Sequence, residues 1–215
     1  MTLAYQSDFI DLCMRLGVLR FGSFTLKSGR ESPYFFDAGL FSSGAAIAAV
    51  GRAYAAAASA SGIEFDMLFG PAYKGIPLAT ITAAALAGTG RDVKFAFNRK
   101  EAKDHGERGN VIGSPLSGAV LIVDDVITAG TAIRESIDII RAAGARPAGV
   151  LLALDRQEIA PQSRVSAVQE VRDHYGIPAV AVVNLADLMH HISLQGRTED
   201  LLRMQAYRER YGAAD

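Results

Sequence analysis

The most chemically informative stretch of the sequence is Leu121-Ile122-Val123-Asp124-Asp125-Val126-Ile127-Thr128-Ala129-Gly130-Thr131-Ala132. An apolar run suited to a buried strand enters an acidic turn and then a helix-forming segment. A helix start offers unpaired N–H groups and the positive end of its dipole, and Thr128, Gly130 and Thr131 let a phosphate approach. Two carboxylates would repel a bare phosphate, but they accept hydrogen bonds from sugar hydroxyls and suit a metal-bound polyphosphate. Taken singly, the aspartates could be turn residues and the threonines a helix cap. On one strand-turn-helix they describe a grip on a phosphorylated sugar. Neither Gly-x-x-x-x-Gly-Lys nor Gly-x-Gly-x-x-Gly occurs, which argues against a P-loop and a dinucleotide fold.

A second cluster holds Arg99, Lys100, Lys103, His105 and Arg108, interleaved with Glu101, Asp104 and Glu107 and bounded by Gly106, Gly109 and Gly113. Alone it reads as a solvated loop or as a mobile charged one. As a lid it would bring cations to a departing anion while excluding water. Gly70-Pro71-Ala72-Tyr73-Lys74-Gly75 is either a simple strand-to-helix turn or a close backbone approach with a cation in Lys74.

These residues need a scaffold, and the apolar spacing supplies one. An amphipathic helix passes Phe9, Leu12, Cys13 and Leu16 and stops at Gly17. Phe24-Thr25-Leu26 and Tyr34-Phe35-Phe36 read as strands of a hairpin or flap around Ser28-Gly29, with Pro33 as a breaker. Helices over 43–60, 75–87 and 131–143 alternate with strands at 67–69, 93–97, 119–123 and 150–154. Ser166 with Gln169 suggests a capping box for a helix reaching Tyr175, followed by a strand over 179–183. The expected class is α/β, a largely parallel sheet flanked by helices, with ligands at the carboxyl ends of the strands.

A chain of 215 residues, half apolar and a fifth charged, fits one globular domain. A net charge of -1 gives no basic face for nucleic acid. Cys13 is the one cysteine, so no internal disulfide forms; it reads as a core residue of a protein in a reducing cytoplasm. The first residues lack a signal-peptide pattern, and the alanine-rich run over 45–58 is too short to cross a bilayer. A cytoplasmic protein without membrane association is expected. His190-His191 would diverge around a helix, and neither they nor His174 are given a role.

The acidic turn resembles the phosphoribosyl diphosphate signature of the type I phosphoribosyltransferases. The likeness extends to Phe24-Thr25-Leu26-Lys27-Ser28-Gly29-Arg30, Ser32-Pro33-Tyr34-Phe35-Phe36, Phe69-Gly70-Pro71-Ala72-Tyr73-Lys74-Gly75-Ile76-Pro77, Phe97-Asn98-Arg99-Lys100-Glu101-Ala102-Lys103-Asp104-His105-Gly106 and Leu154-Asp155-Arg156-Gln157-Glu158. In that order they are similar to the orotate phosphoribosyltransferases over nearly the whole chain. The signature fixes only the superfamily; the flap and the Arg-Lys-Glu-x-Lys-Asp-His loop point to the orotate enzymes.

The resemblance implies the type I fold as a single domain over 1–215, with an N-terminal hood over about 1–40 and a mobile catalytic loop over about 98–117. It implies transfer of phosphoribosyl from its diphosphate to orotate, giving orotidine monophosphate and diphosphate, with magnesium held mainly by substrate near Asp124 and Asp125. Lys103, Asp124 and Asp125 would be catalytic. Lys27, Tyr73, Lys74, Arg99, Lys100, Lys103 and His105 would join Asp124, Asp125, Val126, Ile127, Thr128, Ala129, Gly130, Thr131 and Ala132 in holding phosphoribosyl diphosphate. Phe35, Phe36, Thr128 and Arg156 would hold orotate, with Phe35 the ring to stack on it and Phe36 the one that could instead be core, and Arg156 could otherwise pair with Asp155 or Glu158. A homodimer would supply Lys100, Lys103 and His105 across its interface, and the Ala72-Tyr73 peptide would be cis. A purine phosphoribosyltransferase and a non-catalytic phosphoribosyl diphosphate sensor remain the alternatives.

Overall fold

The run Ala119–Val123 is buried at every position, as only a central strand covered on both faces can be. In the computed structural model, which describes residues 3–26, 28–100, 110–127, 130–159 and 165–213, this run is strand β6 of a six-stranded sheet. The sheet also holds β3 (Met67–Gly70), β4 (Lys94–Asn98), β5 (Val111–Gly113), β7 (Arg146–Asp155) and β8 (Ala179–Asn184), in the order β5-β4-β3-β6-β7-β8. All neighbours run parallel except β5, which is antiparallel to β4. β1 (Leu19–Thr25) and β2 (Glu31–Phe36) form a separate antiparallel hairpin.

Alternation along the strands divides the core in two. Leu68, Leu121, Val123, Leu151 and Ala153 pack with α1 (Ala4–Arg15), α2 (Gly44–Ala60) and α3 (Gly75–Gly88), whereas Met67, Phe69, Val120, Ile122, Val150 and Leu152 meet α4 (Thr131–Ala142) and α5 (Ala167–Tyr175). Cys13 is buried in the first of these cores. The chain ends in α6 (Leu185–Leu194) and α7 (Thr198–Tyr211), and the edge of the Tyr207 ring on α7 meets Tyr34 of the hairpin.

The expected α/β alternation is present, with three differences. The hairpin strands are longer than the aromatic runs suggested, and Pro33 lies inside β2, since a two-stranded sheet leaves one edge needing no N–H donor. A bulge separates the pairs Phe21–Tyr34 and Phe24–Ser32, blurring the alternation that would have extended β1 toward Leu19. Strand β5 falls within the 98–117 interval. Ser166 caps α5 through Gln169 N–H at 3.1 Å, as its position predicts, but among the described residues the return bond from Ser166 N–H to the Gln169 side chain that would complete the capping box is absent. Among the described residues, no helix is long and apolar enough to cross a membrane.

Candidate functional site

The acidic pair stands where the central strand runs out of apolar residues. Asp124 N–H donates to Leu151 O at 3.0 Å, and the fully buried Tyr54 of α2 donates its hydroxyl to Asp124 O at 2.9 Å. The carboxylates shape the turn themselves: Asp125 N–H donates to Asp124 Oδ1 at 2.9 Å, and Val126 N–H to Asp125 Oδ1 at 2.8 Å. Both side chains are buried. Burial, followed by the charge of Asp125, pushes the Asp124 carboxyl up to about 7. Gly130, at φ 68°, then opens α4 as an N-cap with no side chain of its own, so among the described residues no N-cap side chain takes the first amides of the helix.

The loop after β3 arrives beside this pair. It is closed tightly: a Cβ on Gly70 would lie 2.2 Å from Gly75 O, and one on Gly75 would lie 2.5 Å from Pro71 Cδ and 2.8 Å from Val123 O. Only glycine fits at these two ends. Within the loop, the Ala72-Tyr73 peptide is cis. Ala72 N–H donates to Asn98 Oδ1 at 2.8 Å, tying the loop to the end of β4. Lys74 Nζ donates to Asp125 Oδ2 at 2.6 Å. Burial opposes the charge of Lys74, but the bond to Asp125 and the charges of Asp125, Asp37 and Asp124 outweigh it and hold the ammonium above its usual value.

A cleft of about 790 Å³ extends from these elements, its lining including Asp124, Val126, Gly130, Thr131, Asn98, Arg99 and Lys100. That volume suits a small-molecule ligand. Arg99 N–H bonds Asn110 O at 2.7 Å at the base of the β4–β5 hairpin, and Lys100 Nζ sits 4.9 Å from the centroid of the exposed Tyr73 ring.

The second region lies farther along β7. Ala153 N–H donates to Asp125 O at 2.8 Å, which levels Asp125 with Ala153 and puts Arg156 about 10 Å beyond it at three residues of strand rise. There Arg156 stacks over the Tyr34 ring at 4.4 Å, donates Nη2 to Ser32 Oγ at 3.2 Å and pairs with Glu158. Arg30 Nη1 donates to Ile159 O at 2.8 Å, so the hairpin is pinned to the segment that follows β7.

The structure brings Asp124, Asp125, Val126, Ile127, Gly130, Thr131, Ala132, Tyr73, Lys74, Arg99 and Lys100 to one side of the sheet end. It separates the two aromatic candidates. Phe36 packs against Phe41 and the core, while the Phe35 ring lies beside Phe24 and under the Arg20 guanidinium. Phe36 shares the strand face of Ser32 and Tyr34, which touch Arg156; Phe35 is on the opposite face. Glu158, one of the two partners expected for Arg156, is engaged with it. Lys27, Lys103, His105, Thr128 and Ala129 lie outside the described residues. Tyr54 and Asn98 escaped the sequence reading: a tyrosine in an alanine-rich helix and a strand-end asparagine carry no local mark of the backbone groups they bind. His191 bonds Asp11 at 2.8 Å, joining α6 to α1.

A profile of the phosphoribosyl transferase domain family matches residues 40–180. The chain is 58% identical over 212 residues to an orotate phosphoribosyltransferase of Marinobacter nauticus, covering 97% of this chain and 98% of that one. It is 60% identical over 210 residues to the enzyme of the same name from Thioalkalivibrio sulfidiphilus, with 97% and 98% covered. The crystal structure of orotate phosphoribosyltransferase from Francisella tularensis superposes with a TM-score of 0.88 at 40% identity, covering 96% of this chain and all of that one. With the acidic turn, the tight loop after β3 and the hairpin all in place on the expected sheet, the chain belongs to the phosphoribosyl transferase family and, within it, to the orotate phosphoribosyltransferases.

Proposed function

We infer that the cleft carries out its family's transfer, orotate plus phosphoribosyl diphosphate giving orotidine monophosphate and diphosphate, by holding the ribose at Asp124 and Asp125. The observation that carries this assignment is the buried acidic pair, bonded to Lys74 and followed five residues on by a helix whose N-cap, Gly130, has no side chain. The 5-phosphate takes the segment 126–132, where the α4 amides and dipole favour an anion. The ribose hydroxyls donate to the two carboxylates. Breaking the C1–O bond leaves positive charge on the sugar and negative charge on the diphosphate, and preorganised charges stabilise both. Lys74, Tyr73 and the loop amides meet the diphosphate, with Arg99 and Lys100 completing the cationic side. Lys27, Lys103 and His105 are assigned to the same anion, and Thr128 to orotate, on family likeness.

Arg156 takes the orotate carboxylate, and Phe36, on the arginine's side of β2, supports the ring. Asp37, which follows β2, is among the charges that hold the Lys74 ammonium above its usual value. Magnesium fits the hard oxygens of Asp124 and Asp125, but Asp125 is already paired with Lys74, so the substrate oxygens would supply most of its ligands. When bound, the ion neutralises diphosphate charge. The chain forms one domain with its hood over about 1–40 and its catalytic loop within about 98–117. It pairs as a homodimer that exchanges Lys100, Lys103 and His105, and it works in the cytoplasm.

The test is a magnesium-dependent assay with phosphoribosyl diphosphate and, separately, orotate, adenine and hypoxanthine. Consumption of orotate alone is expected. Equal turnover of a purine would overturn the base assignment, and tight phosphoribosyl diphosphate binding with no turnover of any base would favour a sensor.

A further inference from the structure

Glu158 has no part in the reaction as described, yet several groups converge on it. Its Oε1 receives Arg156 Nε at 2.8 Å, lies 2.7 Å from Arg156 Nη2 and receives the Tyr34 hydroxyl at 3.3 Å, while Oε2 stands 3.8 Å from Arg30 Nη1. The Glu158 side chain is only 11% exposed. A local device closes the pair. Gln157, between the two residues, has φ 51°, the only positive φ of a non-glycine residue among those described. It is braced by its N–H on Asp155 Oδ1 at 2.9 Å and by Ala186 N–H on its own Oε1 at 3.1 Å. A non-glycine residue in this region is uncommon and persists where its surroundings hold it.

The Nε/Nη2 edge of a guanidinium is its two-pronged grip on a carboxylate. In this protein Glu158 holds that edge and Ser32 takes another Nη2 contact, leaving Nη1 as the nitrogen engaged by neither. We propose that Glu158 is a positioning residue for base recognition: by occupying the Nε/Nη2 edge of Arg156, it directs the Nη1 end of the guanidinium to the orotate carboxylate. The proposal rests on the assignment of Arg156 to the base. Before substrate arrives, the pair also keeps a largely buried cation compensated and a long side chain ordered, so that less is lost when orotate binds.

The experiment measures kcat and both KM values for Glu158→Ala, Glu158→Gln, Glu158→Asp, Arg156→Ala and the double variant Arg156→Ala/Glu158→Ala. Glu158→Ala raises the KM for orotate about tenfold, with kcat and the KM for phosphoribosyl diphosphate within about twofold. Glu158→Gln keeps an acceptor oxygen in place and returns the orotate KM to within about threefold of the parent, whereas Glu158→Asp keeps the charge but withdraws it by one methylene and raises that KM about fivefold. In the Arg156→Ala background, Glu158→Ala adds no further loss. A parental orotate KM in both Glu158→Ala and Glu158→Asp overturns the proposal, as do equal losses for both substrates or a full additional loss in the double variant. Should Glu158→Ala fail to fold, Glu158→Asp against Glu158→Gln decides by the same order. An orotate KM unmoved by Arg156→Ala would remove the base assignment itself, while a large Arg156 effect beside silent Glu158 variants removes only the positioning role.

Discussion

At the ends of β3 and β6, much of what holds the cleft in shape is main chain. The loop 70–75 is closed by two glycines that leave no room for a Cβ, the N–H groups of Asp125 and Val126 each fix the turn by bonding the carboxylate of the preceding aspartate, and α4 begins at a glycine N-cap with no side chain. Between β2 and the segment 155–159 the opposite holds. Arg156, Glu158, Tyr34, Ser32 and Arg30 meet through side chains from two distant parts of the sequence. On the proposed assignment, the backbone-built region reads an anion common to many substrates and the side-chain-built region reads one base. The first fails when the backbone is moved, whereas the second fails one contact at a time.

The largest effect should come from crowding the backbone-built region. Gly75→Ala places a methyl against Pro71 and the carbonyl of Val123. Overpacking of this kind costs about 2 kcal/mol, which for a chain of this size lowers the melting temperature by about 6 °C. The displaced loop should lower kcat about a hundredfold. A melting curve and a turnover number check both, and an unchanged Gly75→Ala enzyme would break the contrast.

Titration should separate the regions next. The Asp124 carboxyl, pushed up to about 7, accepts ribose hydroxyls fully only once deprotonated. The kcat/KM for phosphoribosyl diphosphate should therefore rise about tenfold per pH unit below about 7 and level off above it. Asp124→Asn should remove that step, which distinguishes it from titration of the substrate. The sign for stability is the reverse. Because the folded chain holds this proton to a higher pH than the unfolded chain does, the contribution of Asp124 to stability falls as pH rises from about 4 to about 7. Chemical denaturation of parent and Asp124→Asn across that window checks the direction.

A smaller effect should divide two adjacent rings. Phe36→Ala should raise the KM for orotate about fivefold, and Phe35→Ala, on the other face of β2 from Arg156, less than twofold. Steady-state kinetics on purified, folded variants decide; the reverse order would move the base to the Arg20 side of the hairpin.

The same contrast governs what the sequence disclosed. β6 and the acidic turn were legible because a fully apolar strand, two aspartates and a glycine lie consecutively, so one window contains both position and chemistry. The parallel sheet followed from apolar spacing in the same way. Arg156, Phe35 and Phe36 could be named only by family likeness, with Phe35 favoured to stack and Phe36 to be core, since which face of β2 turns toward Arg156 depends on how the hairpin docks. The spacing of Met204, Tyr207 and Tyr211 marks α7 as a helix, but nothing local to it points to the Tyr34 ring that Tyr207 meets. Strand β5 is three residues long, too short to show a period.

If separate regions grip the two substrates, a pair of KM values for each of two variants will show it. Arg156→Ala should raise the KM for orotate about thirtyfold while leaving that for phosphoribosyl diphosphate within about twofold. Lys74→Ala, which breaks the 2.6 Å bond to Asp125, should lower kcat about a hundredfold and raise the KM for phosphoribosyl diphosphate, with the orotate KM within about threefold. If either substitution moves both KM values by the same factor, the two-region account is wrong.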